Sequence, residues 1–238
     1  MYDALGDRMK SFYEDRYRFY LTRRTPVIIR IDGNAFHTFT KGLEKPFDND
    51  FIFLMQKTCY MLCKNIQNCV GGYIQSDEIS LLLIDYNTLE TDAWFDYNLQ
   101  KITSITAAQA TLYFNTNISP IIEKYRDCNL EKFNLWHNKY GKGIFDARAF
   151  NIPKEEVTNY FIWRQKDATR NSILSMGQKY FTHNELWGKT QNDIQEMLFQ
   201  KGINWNDCSI PEKRGTFVRR PNIDLDSLET VYTRDWYI

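Results

Sequence analysis

Along the first two-thirds of the chain the apolar positions switch period several times, and each switch marks an element. Met9, Phe12, Tyr13, Tyr17 and Tyr20 draw an aromatic stripe at helical spacing, which predicts a helix over 3–20. The β-branched run "PVIIRIDG", opened by Pro26 and ended by Gly33, predicts a short strand. Phe51, Met55, Cys59, Leu62 and Ile66 then fall on one face of a helix over 47–69. "VGGYIQ" and "EISLLLIDY" form two strands, with Asp77 and Glu78 between them or at their edge. A second long helix is expected over 97–115, and "GIFDARAFNIP" is a strand stopped by Pro153. A third runs from 154 past Arg170, with Glu155 and Glu156 favourable in its first turn. After residue 185 the pattern is mixed, and "KRGTFVRR" (213–220) is a strand or loop carrying four basic residues.

The order β, α, β, β, α, β, helix is the split βαβ, or ferredoxin-like, arrangement of an α+β protein. Residues 1–140 are expected to supply most of this layer with the N-terminal helix. Residues 141–238 are expected to complete it and add basic helix and strand elements.

Composition narrows the picture. A chain of 238 residues that is 43% hydrophobic and 16% aromatic has ample material for one large core. Thirty basic and thirty acidic side chains cancel, so any nucleic-acid contact has to be local. No apolar run of about 18 residues predicts a membrane span. The charged, aromatic N-terminal stretch lacks an apolar signal core, which favours the cytoplasm. Five cysteines at irregular spacing suit reduced thiols. Cys59 and Cys63 are expected to be small hydrophobes on a buried helix face, because no His or second Cys pair completes a zinc set.

Two acidic motifs carry the candidate chemistry. In "RIDGNAFHTF", Asp32-Gly33 is either a hairpin turn or a carboxylate at a strand end. The irregular segment behind it would then offer backbone N–H groups to phosphates. In "QSDE", Asp77 and Glu78 are either an exposed acidic turn or part of a site. A ferredoxin-like sheet puts the first strand beside the central hairpin, where Asp32 and Asp77 could converge. Mg²⁺ is satisfied by one or two carboxylates plus substrate phosphates, and a pair of ions so held supports phosphoryl transfer. Side chains alternate along a strand, so Asp77 and Glu78 are not both expected to point at one metal, and one is expected to be the direct ligand and the other a supporting acid. Lys45, Lys101, Arg148, Arg164, Lys166, Arg170, Lys213, Arg214, Arg219 and Arg220 are candidate phosphate contacts, many of them solvated surface charges. His37, His137 and His183 show no metal spacing, and nucleophile-elbow, Walker and dinucleotide fingerprints are absent.

Together, "RIDGNAFHTF", "KPFD", "YIQSDEISLLL", "FDARAFNIP", "YFIWRQKDATRNSI" and "KRGT" resemble, in order over residues 6–220, the motifs of the tRNA(His) guanylyltransferase family, the 3′-to-5′ nucleotide polymerases. The resemblance implies a polymerase palm with two Mg²⁺ ions bound by Asp32, Asp77 and the Gly33 carbonyl, and Glu78 as an auxiliary catalytic acid. It implies that GTP or ATP is held by Asp32, Gly33, Asn34, Ala35, Phe36 and His37 with Ser76 and Asp77, and that Lys45 and Lys101 lie near the triphosphates. The partner implied is the 5′ end and acceptor stem of tRNA, for which Arg148, Arg164, Lys166, Arg170, Lys213 and Arg214 are the candidate contacts. A homotetramer is also implied, in which the aromatic N-terminal helix serves either an interface or the core. Thr169-Arg170-Asn171-Ser172 stands where the eukaryotic enzymes carry His-Ile-Asn-Asn. That departure resembles the guanylyltransferase-like branch, which adds templated nucleotides to truncated tRNA 5′ ends. The rivals are a palm-type nucleotide cyclase and a non-catalytic RNA-binding sheet. Four residues between Gly71-Gly72 and Asp77-Glu78 spoil the tight cyclase hairpin, and no "RGFGFV"-type strand supports the RNA-binding sheet.

Overall fold

The computed structural model describes residues 3–219 and the backbone of 229–231; Arg220, among the candidate cations, lies outside the described residues. "VIIRIDG" forms β1 (Val27–Gly33), and the two runs flanking Ser76-Asp77 form β2 (Cys69–Gln75) and β3 (Glu78–Leu83). With β4 (Phe145–Asn151), β5 (Thr216–Arg219) and β6 (Glu229–Val231) they make one sheet of order β4-β1-β3-β2-β5-β6. Every pairing is antiparallel. The first four strands keep the ferredoxin-like order, and β5 and β6 widen the sheet beyond β2.

In chain order the helices are α1 (Ala4–Met9), α2 (Phe36–Phe39), α3 (Asn49–Asn65), α4 (Leu99–Thr116), α5 (Ile118–Tyr125) and α6 (Leu130–Lys139). They continue as α7 (Val157–Tyr180), α8 (His183–Leu186), α9 (Gln191–Gln200) and α10 (Ile210–Arg214). Asp48 starts α3 by accepting the Phe51 N–H at 2.9 Å, a side-chain N-cap. Cys59 and Cys63 are fully buried on α3, as expected. They explain Gly72, where a Cβ would sit 2.6 Å from the Cys59 Sγ and 2.9 Å from the Cys63 Sγ. Gly72 thus lets α3 lie close on the sheet.

Alternation divides the strands into two faces. Val27, Ile29, Ile31, Ile79, Leu81 and Leu83 are buried in one core with Leu54 and Met55 of α3 and Ile102 and Phe114 of α4. On the opposite face Ile28 and Tyr73 pack with Tyr160 and Phe161 of α7. The Ser80 and Tyr160 hydroxyls share a hydrogen bond of 2.8 Å there. The far half of α7 builds a separate small core, Ile173 and Met176 against Ile194 and Leu198 of α9 and Trp205.

Two regions differ from expectation. The helix expected over 3–20 is broken into α1, a π turn over Lys10–Glu14 and a 3₁₀ turn over Asp15–Tyr17. Met9, Phe12, Tyr13, Tyr17 and Tyr20 are exposed, so the stripe does not pack into the core of its own chain. The region 118–139 holds two further helices; α5 does follow helical spacing, burying Ile118, Ile121 and Ile122, whereas α6 does not. In α6 only Trp136 and Lys139 are buried, too few to draw an apolar stripe.

Candidate active site

At the Gly33 end of the sheet, the α7 side of the strands becomes polar. Asp32 opposes Glu78 in the β1–β3 register, and the Gly33 N–H donates to the Asp77 carbonyl at 3.2 Å. The two-residue turn Ser76-Asp77 therefore folds over the end of β1. Ser76 has φ 49°, the positive value that a type II′ hairpin requires at its first central position and that glycine usually fills. Asp32-Gly33 ends a strand and is not a hairpin turn. Gly33 is required by space, since a Cβ there would meet the Phe36 ring at 2.4 Å. Beyond it Ala35, at φ 56°, turns the chain into α2. The Phe36 and His37 amides, first in that helix, have no intrahelical acceptor.

The three acids are held differently. Burial pushes the Asp77 carboxyl up, and the charge of Asp32 pushes the same way; its own backbone N–H and the Ser76 hydroxyl oppose this. Asp32 is partly exposed, with Arg148 Nη2 at 3.9 Å. Glu78 is buried between two guanidinium groups, with Arg30 Nη2 at 2.8 Å and Arg164 Nε at 2.9 Å. The latter contact is an ion pair off the hydrogen-bonding axis. Arg164 also reaches Asp167 at 2.6 Å. Burial raises the Glu78 carboxyl, while Arg164 and then Arg30 draw it down. The cations beside Glu78 thus come from Arg30 on the adjacent strand and Arg164 far along the chain.

The acids border a cleft of about 360 Å³ whose lining includes Lys45, Ser76, Asn171 and Ser172. Among the described residues no three His, Cys, Asp or Glu side chains form a metal cluster. Two carboxylates and the Gly33 carbonyl nevertheless fit Mg²⁺, whose remaining positions are normally taken by water and phosphate oxygens. The destabilised carboxyl of Asp77 beside Asp32 is the observation that favours a cation here.

The structure sorts the other candidates. Lys45 lines the cleft; Asn34, Ala35 and His37 are exposed but are not among its lining residues; Phe36 is buried in an aromatic cluster with Phe39, Phe114 and Phe145. Lys101 is not brought there. It lines a separate depression with Glu14, Arg18 and Phe95, at the end of α4 tied to Phe19. About 15 Å of helix separates it from Thr111, which receives the Phe145 N–H opposite Gly33. Arg164, expected as an RNA contact, lines the acid cleft but is 4% exposed and committed to Glu78 and Asp167. Arg148 is exposed next to Asp32. Lys166, Arg170 and Arg214 border a second depression on α7. Lys213 donates to the Asn206 carbonyl at 2.6 Å over the Trp205 ring. Sequence reasoning missed Arg30 and Gln75. Each lies two or three positions from an acid, and period-two spacing places Arg30 on the face of Asp32.

The model of the family described as "Thg1: tRNAHis guanylyltransferase" matches residues 6–153, more than half of the chain. A tRNA(His) guanylyltransferase of Saccharomyces cerevisiae is 28% identical, over 82% of this chain and 82% of its own length. A bacterial tRNA(His) guanylyltransferase (Thg1)-like protein, solved in complex with ATP, is 43% identical with a TM-score of 0.83, covering 96% of this chain and 92% of the other. A second such structure, in complex with GTP, is 39% identical with a TM-score of 0.76, covering 97% and 90%. The likeness includes both the palm-type sheet and the segments that build the acid cleft, and the chain belongs to the tRNA(His) guanylyltransferase family of tRNA-processing nucleotidyltransferases.

Proposed function

We propose that this chain adds nucleotides to the 5′ end of tRNA in the 3′-to-5′ direction, using the opposite strand as template, as in repair of a truncated 5′ end; G addition to tRNA(His) is the same chemistry. The observation that carries this reading is the meeting of Asp32 and Asp77 at one cleft, with the half-buried Asp77 carboxyl raised beside a second carboxylate. Asp32, Asp77 and the Gly33 carbonyl would hold two Mg²⁺ ions. Bound there, the ions supply Lewis-acid activation of an attacking hydroxyl and neutralise the leaving group.

The chain's own groups do the rest. The Phe36 and His37 amides and Lys45 receive the triphosphate of GTP or ATP, the nucleotides named in the bacterial complexes. The 3′-hydroxyl of that nucleotide attacks the α-phosphorus at the RNA 5′ end. The new P–O bond forms as pyrophosphate departs, or AMP where a 5′-monophosphate was first adenylylated, and the hydroxyl proton passes to water. Glu78, clamped by Arg30 and Arg164, is a positioning residue that fixes the Ser76-Asp77 turn. The exposed aromatic segment with Phe12, Tyr13, Tyr17 and Phe19 supports a homotetramer assembled through it. The free thiols suit the cytoplasm.

A 5′-extension assay tests this with intact and truncated tRNAs, as mono- and triphosphates, each nucleotide offered singly. Mg²⁺-dependent extension of truncated tRNA is expected, falling roughly 10²- to 10⁴-fold in Asp32→Ala or Asp77→Ala. No extension of any truncated tRNA overturns the proposal, and a cyclic product from GTP or ATP alone replaces it with a cyclase.

A further inference from the structure

The second depression, about 490 Å³, lies on α7 and is lined by Trp163, Lys166, Arg170, Gln191 and Arg214 among others. Trp163 is 53% exposed, although its ring is among the largest apolar surfaces a side chain offers. It is held in place from below. The Arg164 guanidinium carbon lies 4.2 Å from the indole centroid, and Tyr160 meets the ring edgewise at 5.8 Å. Arg164 is itself clamped by Glu78 and Asp167. The indole therefore rests on a fixed guanidinium and turns its exposed surface to solvent. Lys166 and Arg170 are exposed around it, Arg170 ion-paired with Asp167 in the same lining, and Arg214 is half-buried.

We propose that this depression binds an unpaired nucleotide of the RNA, with its base stacked on Trp163 and its flanking phosphates met by Lys166, Arg170 and Arg214. The inference rests on the nucleotidyl-transfer reading above. A rigid aromatic surface ringed by cations is the general means of holding single-stranded nucleic acid, and it tolerates any base because every base has a π-face. The position also fits. Asp167 lines both this depression and the acid cleft, and the contacts Trp163–Arg164–Glu78 end on the residue beside Asp77. An RNA strand on Trp163 is therefore close to the reacting phosphate. That is where the overhanging template strand must lie while the recessed 5′ end of its partner is extended.

The test is fluorescence anisotropy without Mg²⁺ or nucleotide, so that binding is measured apart from catalysis. Two labelled RNA hairpins are compared, one with a single-stranded 3′ overhang and one blunt. The wild-type chain is expected to prefer the overhang. Trp163→Ala should weaken that hairpin roughly ten- to hundredfold and the blunt one little, abolishing the preference. Trp163→Phe, which keeps an aromatic surface and the packing on Arg164, should retain most of it. Equal weakening of both hairpins by Trp163→Ala, or of neither, overturns the proposal. So does unchanged overhang affinity with a raised KM for a free nucleotide, which would make the depression a mononucleotide site. If the extension assay fails while the overhang preference depends on Trp163, the nucleotidyl-transfer reading falls and the platform stands.

Discussion

The same strands carry two faces of opposite character. Toward α3 and α4, Ile29, Ile31, Ile79 and Leu81 are wholly buried among apolar side chains. Toward α7, alternate residues of those strands are Arg30, Asp32, Glu78 and Ser80, with Gln75 from β2. The first face is what any sheet under helices would choose. The second is costly, because a buried charge must find a partner to offset its lost hydration. Glu78 finds two, Arg30 and Arg164, whereas among the described residues the half-buried Asp77 has its own backbone N–H, the Ser76 hydroxyl and a neighbouring acid. The polar face therefore carries paired charges up to the cleft edge, although Gln75 Oε1 and Glu78 Oε1 are buried without a hydrogen bond. Asp77 at that edge has no cation beside it among the described residues, so an external cation has something to offer there.

Breaking the charge-paired part should have the largest effect. Arg164→Met leaves Glu78 and Asp167 without their shared guanidinium and should cost about 3–5 kcal/mol in denaturant unfolding. Adding Glu78→Gln should recover a large part of that in a double-mutant cycle. On the apolar face Leu81→Ala should cost a comparable 2–5 kcal/mol, with no rescue from Glu78→Gln. Rescue in both cases, or in neither, would show that the faces are not distinct in kind.

Gly33→Ala tests the joint between the faces. Its Cβ would press on the Phe36 ring, so the start of α2 must shift, at an expected cost of about 1–3 kcal/mol. Thermal melts report that loss. Phe36→Leu in the same chain should reduce it if the ring is the obstacle.

The smallest and most informative change is Asp77→Asn. The Asp77 carboxyl is raised above the unfolded value, so the folded state binds more protons in that window. The sign follows: the stability linked to this group is fully present below the unfolded pKa and is lost as pH rises through the folded one. At neutral pH without metal, Asp77→Asn should therefore be as stable as the parent chain or more so, by about 1 kcal/mol or roughly 2–4 °C. Lowering the pH should narrow that gap. Mg²⁺ should stabilise the parent and not the variant. A variant less stable at every pH would mean that Asp77 is structural.

Much of this was legible before any coordinates. The strand order, the three long helices and the burial of Cys59 and Cys63 follow from apolar period alone, because period-two and helical patterns commit a segment to one face. Asp32 and Asp77 stood out because each closes an apolar strand or opens one. α6 is hidden because it buries too few residues to leave a periodic trace, whereas α5 was legible at Ile118, Ile121 and Ile122 and was missed. Arg164 was misjudged for a different reason. A cation in a helix reads as a surface charge unless its buried partner is known, and that partner is 86 positions away.

While β5 stayed a strand or loop and β6 was not foreseen, the sequence by itself determined that β1 to β4 form, which side of them is apolar, and that acids stand at the ends of two neighbours. Tertiary structure alone decided their division of labour. Packing α7 on the polar face delivers Arg164 to Glu78, while the tight turn at Ser76 leaves Asp77 beside Asp32 with no cation among the described residues. Local pattern fixes direction along a strand. Only the approach of distant segments sets which charge meets which, because electrostatic partners are chosen by distance in space.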